Sequence, residues 1–347
     1  MFKNVHQSSE PHQRFTFEFH NVDLAIINGV RRVILTDIPV VGFLGEEIGD
    51  MEPSLKITAN NGPLNNEIIL HRFGLIPIHL SEEEVETYDD TEYMFELQAD
   101  NTGQSMLNVT TENMKVRKNG KEIIPSKLFP ANPFTKDYIL ITRLSPHEKL
   151  HVQGRALKKT ARLHAGFSPV SLCTMSFMGP AAANVNANPL EKERSFYKNE
   201  YGEPTAVLFS IEAEMALTPQ YLVRKAIEII IDKLEGMVQA ELIPVRTDIG
   251  AEFTIMNEDD TLGNILQSNM HNYYIREKHA NRTGKIVSYV GYFCPHPLEA
   301  CVVLRVCMQD HDQVTNTDYT DTIVDSCERL IADLRGMLGE WNNVSKK

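Results

Sequence analysis

Between Asn21 and Pro39 the chain reads N-V-D-L-A-I-I-N-G-V-R-R-V-I-L-T-D-I-P, an almost unbroken apolar segment that carries two adjacent arginines and stops at a proline. The spacing predicts a helix that starts on a side-chain oxygen of Asn21 or Asp23. It ends before Pro39, whose ring nitrogen has no hydrogen to donate. Leu24, Ile27 and Ile34 fall on one face and Ile26, Val30 and Val33 on another. That is more apolar surface than one sheet covers, so a second body is expected to pack here. Immediately upstream, Phe15-Thr16-Phe17-Glu18-Phe19 alternates with period two, as a strand does with its aromatic face inward.

The same unit recurs. Glu252 to Asn257 alternates, Glu258-Asp259-Asp260 follows as an acidic helix start, and T-L-G-N-I-L-Q-S-N continues as an apolar helix. Two longer segments also match: Ile230-Ile231-Asp232-Lys233-Leu234-Glu235-Gly236-Met237 and Leu330-Ile331-Ala332-Asp333-Leu334-Arg335-Gly336-Met337. One matched helix means little, since apolar spacing makes helices look alike. Two matched elements in the same order point to an internal duplication. In the first long helix Val223, Ile227, Ile230, Leu234 and Met237 form a stripe, with Pro219 in the first turn; in the second, Ile323, Cys327, Leu330, Leu334 and Leu338 do. The two stripes are expected to bury each other between the halves or to cover their own sheets.

At 347 residues the chain has room for about two domains with real cores. A net charge of -13 argues against a protein that tracks phosphate backbones, and no apolar run approaches bilayer-spanning length. The start lacks the apolar core of a signal peptide, so an intracellular, reducing setting is expected. Cys173, Cys294, Cys301, Cys307 and Cys327 form no C-x-x-C pair and are odd in number, which predicts buried thiols rather than disulfides or a zinc site. Residues 1–14 read as a polar tail and Glu67 to Leu80 as a short helix broken at Gly74 and fixed by Pro77. Ser81 to Asp90 reads as an acidic loop, the stretch up to about Gln98 as short alternating strands, the run from there to Asp137 as polar and turn-rich, and Gly179 to Pro204 as a mobile loop.

One enzymatic pattern needs weighing. His147-Glu148-Lys149-Leu150-His151 is an H-E-x-x-H, which on a helix places two imidazoles on one face to hold zinc and a glutamate to activate water. Here Pro146 precedes it, and Leu150, Val152 and Ala156 alternate as in a strand. A turn entering a strand is the better reading, and a zinc metallopeptidase the alternative. No phosphate-cradling glycine loop and no G-x-S-x-G is present.

Five motifs together carry a resemblance. Asn28-Gly29-Val30-Arg31-Arg32 with Asp37-Ile38-Pro39, His71-Arg72-Phe73-Gly74-Leu75-Ile76-Pro77, and Leu163-His164-Ala165 with Phe167-Ser168-Pro169-Val170 lie in the first part. Glu258 to Asn264, and Gly291-Tyr292 with Pro295-His296-Pro297-Leu298-Glu299, lie in the second. In this order they resemble the alpha-type assembly subunits of multisubunit DNA-directed RNA polymerases: the third and eleventh subunits of eukaryotic polymerase II, archaeal D and L, and the bacterial alpha dimer. The two partners look fused, as is familiar in large DNA viruses.

The resemblance implies an α+β fold, a pseudo-dimer of two alpha-type dimerisation units, each an antiparallel sheet plus helices, with an inserted mostly-β subdomain. Residues 15–42 and 205–242 would form the D-like unit, 43–204 the insert and 243–347 the L-like unit. It implies a non-catalytic platform within a nucleotidyltransferase complex, with docking to the second-largest subunit through the first half and to the largest through the second. Small polymerase subunits are further expected partners, with neither membrane nor sequence-specific nucleic-acid binding. The docking residues expected are Arg31, Arg32, His71, Arg72 and Gly74, then Leu262, Gly263, Asn264, His296 and Glu299. The pseudo-dimer seam is expected to use Leu24, Ile27, Ile34, Val223, Ile227, Ile230, Leu234, Cys327, Leu330, Leu334 and Leu338. No cysteine cluster lies in the insert, so neither zinc nor an iron–sulfur cofactor is expected. The implied location is the host cytoplasm or a viral factory, with packaging in the virion as an extension of that expectation.

Overall fold

A computed structural model describes residues 1–8, 14–180, 188–190, 195–240, 242–309 and 311–345. Residues 181–187 and 191–194 of the loop expected to be mobile, and Glu241 at the expected join, lie outside the described residues. The chain divides into two compact units. One comprises Met1–Ile34, Leu172–Glu212 and Leu222–Lys347; the other comprises Leu35–Ser171 and Ala213–Tyr221.

Along the chain, β1 (Phe2–Gln7), β2 (Arg14–His20) and α1 (Leu24–Thr36) come first, then β3 (Val40–Gly42) and β4 (Leu55–Asn60). Next are α2 (Asn66–Gly74), α3 (Glu82–Glu86), β5 (Tyr93–Asp100), β6 (Leu107–Thr110), β7 (Met114–Lys118) and β8 (Lys121–Ile123). They are followed by β9 (Leu140–Leu144), β10 (Lys149–Gly154), β11 (Leu157–Lys159), β12 (Val170–Phe177) and β13 (Ala206–Ala213). The last part holds α4 (Pro219–Gln239), β14 (Val245–Arg246), β15 (Ala251–Met256), α5 (Asp260–Met270), β16 (Val287–Phe293), β17 (Cys301–Met308) and α6 (Asn316–Val344).

The first unit contains two four-stranded sheets, β1-β2-β13-β12 and β14-β15-β17-β16. Each has an antiparallel strand leading into a capped helix, β2 into α1 and β15 into α5, and each half ends in a long helix, α4 or α6. The expectation of a polar tail over 1–14 is wrong at its start. Phe2–Gln7 pairs with β2, and Phe2 is buried against Phe17 and Phe19 at ring distances of 5.9 and 5.1 Å. One aromatic side chain in a polar run was enough to anchor a strand, which periodicity alone does not reveal. The alternation of β2 is realised as written: Phe15, Phe17 and Phe19 are buried, with Phe209 of β13 5.2 Å from Phe17.

The long helices follow their stripes. Val223, Ile227, Ile230 and Leu234 of α4 are buried, as are Ile323, Cys327, Leu330 and Leu334 of α6. Two assignments need correction. Leu338 is only half-buried; Met337 and Trp341 take the inward positions, because the α6 stripe advances by alternating steps of four and three from Ile323. Leu24 is likewise half-buried at the first turn, while Ala25, Ile27, Gly29, Val30, Val33 and Ile34 form the buried face of α1.

The second unit is mostly β, with an antiparallel five-stranded sheet β4-β10-β5-β7-β8 and two ribbons, β3–β11 and β6–β9. Its core is a chain of aromatic edges: Phe43 lies 6.0 Å from Phe73 and 5.0 Å from Phe95, which is 6.3 Å from Phe129. Here three readings change. The run to Asp137 holds β6, β7 and β8; in β7 and β8 the charged residues face outward and mask the alternation. The acidic loop contains α3, started by a capping box between Ser81 and Glu84. The second unit, where the insert was expected over 43–204, begins earlier at Leu35, and residues 172–204 fall in the first unit.

Candidate functional site

Helices α1 and α5 meet in a reciprocal arrangement. Asp23 caps α1 by accepting the Ala25 N–H at 2.8 Å, and Asp259 caps α5 by accepting the Thr261 N–H at 2.8 Å. The residue nine positions after each cap reaches the other helix's start. Arg32 donates to Thr261 Oγ1 at 2.7 Å and sits 3.6 Å from Asp259 Oδ2. Ser268 donates to Asp23 Oδ2 at 2.7 Å, joined by Asn272 at 2.9 Å. Two antiparallel helices related by a local twofold produce this pattern, and a shared strand-cap-helix unit is what lets one chain make it. At the crossing, Gly29 opposes Ile265: a Cβ there would lie 2.4 Å from Ile265 Cδ1. The missing side chain leaves room for the Ile265 side chain to lie against α1 at the crossing.

A second contact within the same unit joins the halves. Trp341, the only tryptophan, closes α6 and is fully buried. Its ring lies 4.8 Å from Phe17, 4.9 Å from Phe2 and 6.2 Å from Phe15, so the last turn of the second half is seated on the aromatic face of the first half's sheet. At the other long helix, Arg335 of α6 donates to Glu235 of α4 at 2.5 Å.

The residues expected to dock partners divide by exposure. Arg31 directs Nε and Nη2 onto Asn28 Oδ1 of its own helix at 3.0 and 2.9 Å, and Arg32 is engaged with α5. Both guanidinium groups therefore have partners inside the chain. Leu262 and Gly263 are buried, and a Cβ on Gly263 would meet Tyr292 Cδ2 at 2.7 Å and Val302 Cγ2 at 2.8 Å. Gly74 is buried too: its Cβ would come within 3.2 Å of the Gly45 nitrogen, and a Cβ on Gly45 would strike the Leu70 carbonyl oxygen at 2.3 Å. These three residues are packing positions, not contact positions, as motif glycines are when backbones need to touch.

His71 and Arg72 are exposed on α2, Arg72 bonding the Leu140 carbonyl at 2.6 Å, with Ile68 and Leu75 exposed beside them. His296 and Glu299 are exposed in the loop after β16, whose Leu298 is 90% accessible. Asn264 is half-buried and faces a cleft. Ile68, Leu75 and Leu298 escaped the sequence reading because an isolated leucine or isoleucine carries no sign of which side it faces.

The H-E-x-x-H segment is not helical. His147 has φ 68° in a turn, Glu148 accepts the Ser145 N–H at 2.7 Å, and His151 lies on β10 against Asp100 at 3.0 Å. The turn-into-strand reading holds, and among the described residues no group of three metal-ligating side chains is assembled. Cys173 and Cys327 are buried, and desolvation pushes both thiols up to about 12, as expected for inert core cysteines. Among the described residues no helix is long and apolar enough to cross a membrane.

Comparison with known proteins agrees with this geometry. The family profile described as "RNA polymerase Rpb3/Rpb11 dimerisation domain" matches residues 16–234, and a second profile of the same description matches residues 250–340. The human "DNA-directed RNA polymerases I and III subunit RPAC1" is 24% identical over 294 residues, covering 67% of this chain and 82% of that protein. The Archaeoglobus fulgidus "DNA-directed RNA polymerase subunit Rpo3" is 24% identical over 276 residues, covering 68% of this chain and 97% of that protein. A "Conjugation stage-specific protein" from Tetrahymena thermophila is 24% identical over 180 residues, 46% of this chain, and the match spans about half (54%) of that relative's length. With a dimerisation domain on either side of the α1–α5 crossing, the chain belongs to the Rpb3/Rpb11 family of RNA polymerase alpha-type subunits.

Proposed function

We propose that this protein is a non-catalytic assembly platform of a DNA-dependent RNA polymerase that supplies both members of the alpha-type pair from one polypeptide. The observation that carries the proposal is the reciprocal capping of α1 and α5, in which Asp23 and Asp259 each hold the other helix's far residue. In a two-chain dimer such contacts would cross between subunits; here they close within one. The exposed face of α2, with Ile68, His71, Arg72 and Leu75, docks the second-largest subunit. The Pro295–Glu299 loop with Leu298 docks the largest. Scattered single apolar residues need no explanation, but Leu298 at 90% accessibility in a family signature is placed as an interface anchor is. The pairing of partners to faces comes from the family resemblance, as do association with small subunits and a setting in the cytoplasm or factory of a large DNA virus.

Co-expression of the tagged chain with the two largest subunits tests this. Ile68→Asp with Leu75→Asp is expected to lose the second-largest subunit and keep the largest, and Leu298→Asp the reverse, with melting temperatures within experimental error of the parent. Retention of both subunits by both variants would remove the docking assignment. The platform needs no metal in this reading, so dialysis against EDTA is expected to leave the melting temperature unchanged. A fall of several degrees would call for a bound ion.

A further inference from the structure

Two turns in the family signatures are built alike around a histidine. In His296-Pro297-Leu298-Glu299 the Glu299 N–H donates to the His296 carbonyl at 3.0 Å, and the Leu298 N–H donates to His296 Nδ1 at 3.1 Å. In His164-Ala165-Gly166-Phe167 the Phe167 N–H donates to the His164 carbonyl at 3.0 Å, and the Gly166 N–H donates to His164 Nδ1 at 3.0 Å. Each imidazole takes the part an asparagine side chain plays at the start of a turn. A backbone N–H can only donate, so each Nδ1 presents its lone pair and each ring is neutral, with its hydrogen on Nε2. A protonated ring carries hydrogen on both nitrogens and cannot accept this bond.

Both turns bear on residues given docking roles above. Leu298 itself supplies the N–H that His296 accepts. The His164 turn closes on the end of α2: a Cβ on Gly166 would lie 2.6 Å from the Gly74 carbonyl oxygen, and the residue after Gly74 is the exposed Leu75. Around His164, Nε2 meets Glu46, which follows β3, at 3.1 Å. Asp37, before β3, is bound by Arg162, and on α2 Arg72 is held by the Leu140 carbonyl while His71 is exposed. Around His296, Glu299 lies in the same turn, and Cys294 links the strand before it to Asp260 of α5 at 3.3 Å. The other acids at that helix start are paired, Glu258 with Lys233 and Asp259 with Arg32.

We propose that these two histidines make both docking faces sensitive to acid. A proton gained at Nδ1 removes the acceptor, so the Leu298 turn and the support beneath the end of α2 loosen as the pH falls through the range in which imidazoles take up charge, about pH 8 to 5. The order each bond gives is present while the ring is neutral and lost once it is charged. The proposal rests on the platform reading for what the two turns hold, the largest and second-largest polymerase subunits.

The test uses the full chain, with ¹⁵N-labelled histidine to observe the rings and co-expressed large subunits to observe docking. At about pH 7.5 both rings are expected as the Nε2–H tautomer, and hydrogen on Nδ1 of either would overturn the proposal. The largest subunit should leave the immobilised chain about fivefold faster at about pH 6.0 than at about pH 7.5, the effect of one hydrogen bond. His296→Asn, whose side-chain oxygen accepts the same N–H without titrating, should bring that ratio to about one and release the subunit more slowly than His296→Ala. His164→Asn should flatten the ratio for the second-largest subunit and leave the ratio for the largest as in the parent. Equal ratios in the parent and the asparagine variants, or equal release from the asparagine and alanine variants, would each overturn the proposal. Absence of both subunits at every pH would instead remove the platform reading, and the acid release with it, while the ring tautomers still report on the turns.

Discussion

Trp341→Ala is expected to destabilise the protein by about 3–5 kcal/mol, the cost of removing a fully buried aromatic side chain whose site cannot collapse. The site resists collapse because Phe2, Phe15 and Phe17, which the ring touches, stand on the paired strands β1 and β2. The loss falls on the contact between the halves, since Trp341 belongs to the last turn of α6 and its neighbours to the first sheet. As the only tryptophan, it also reports on that contact directly. In the parent its fluorescence should shift to the red in the same denaturant transition that unfolds the helices seen by circular dichroism. A red shift well before that transition would mean that the seating of α6 contributes little. Trp341→Phe should recover most of the loss, because a phenyl ring keeps the tilted and edge contacts with the three phenylalanines.

Gly29→Val is the second large effect. A Cβ at this position meets Ile265 Cδ1 at 2.4 Å and Cγ1 at 3.1 Å, and valine adds two further carbons to the α1–α5 crossing. Overpacking of this kind costs typically about 1–3 kcal/mol, and here it falls on the buried Ile265 side chain, which has to give way. The reciprocal caps also suffer, because pushing the helices apart lengthens Arg32 to Thr261 and Ser268 to Asp23 together. The cost should be partly returned by Ile265→Ala, which removes the atoms in the way. A double-mutant cycle by urea denaturation measures this coupling. Additive costs would place the strain elsewhere than at the crossing.

These two positions also show how far the chain can be read without coordinates. The helices α1, α4, α5 and α6 were legible because each carries an apolar stripe at helical spacing, and acidic caps marked α5 and α1. β1 was not, because its burial rests on Phe2 alone, and β7 was not, because Lys115 and Arg117 dominate its composition while Met114 and Val116 do the packing. The pairing of Asp23 with Ser268 and of Asp259 with Arg32 follows from equal spacing in the two repeats. It becomes visible only once the helices are known to cross antiparallel. Gly74 and Gly263 sit in signatures, which predicts contacts with partners; the structure makes them tightly packed positions within their own halves. Leu262 sits inside the second half's core for the same reason that α5 exists: its apolar face is the side that folds.

The passage from Gln239 at the end of α4 to Val245 at the start of β14 is only a few residues long, and it carries a thermodynamic consequence. A pair of separate subunits must find each other, so its population depends on how much of each is made and falls on dilution. A tether this short converts that encounter into an internal event, governed by an effective concentration that neither expression level nor dilution alters. Equal supply of the two surfaces is then guaranteed by translation itself, and no unpaired half with a bare apolar helix is ever released to aggregate.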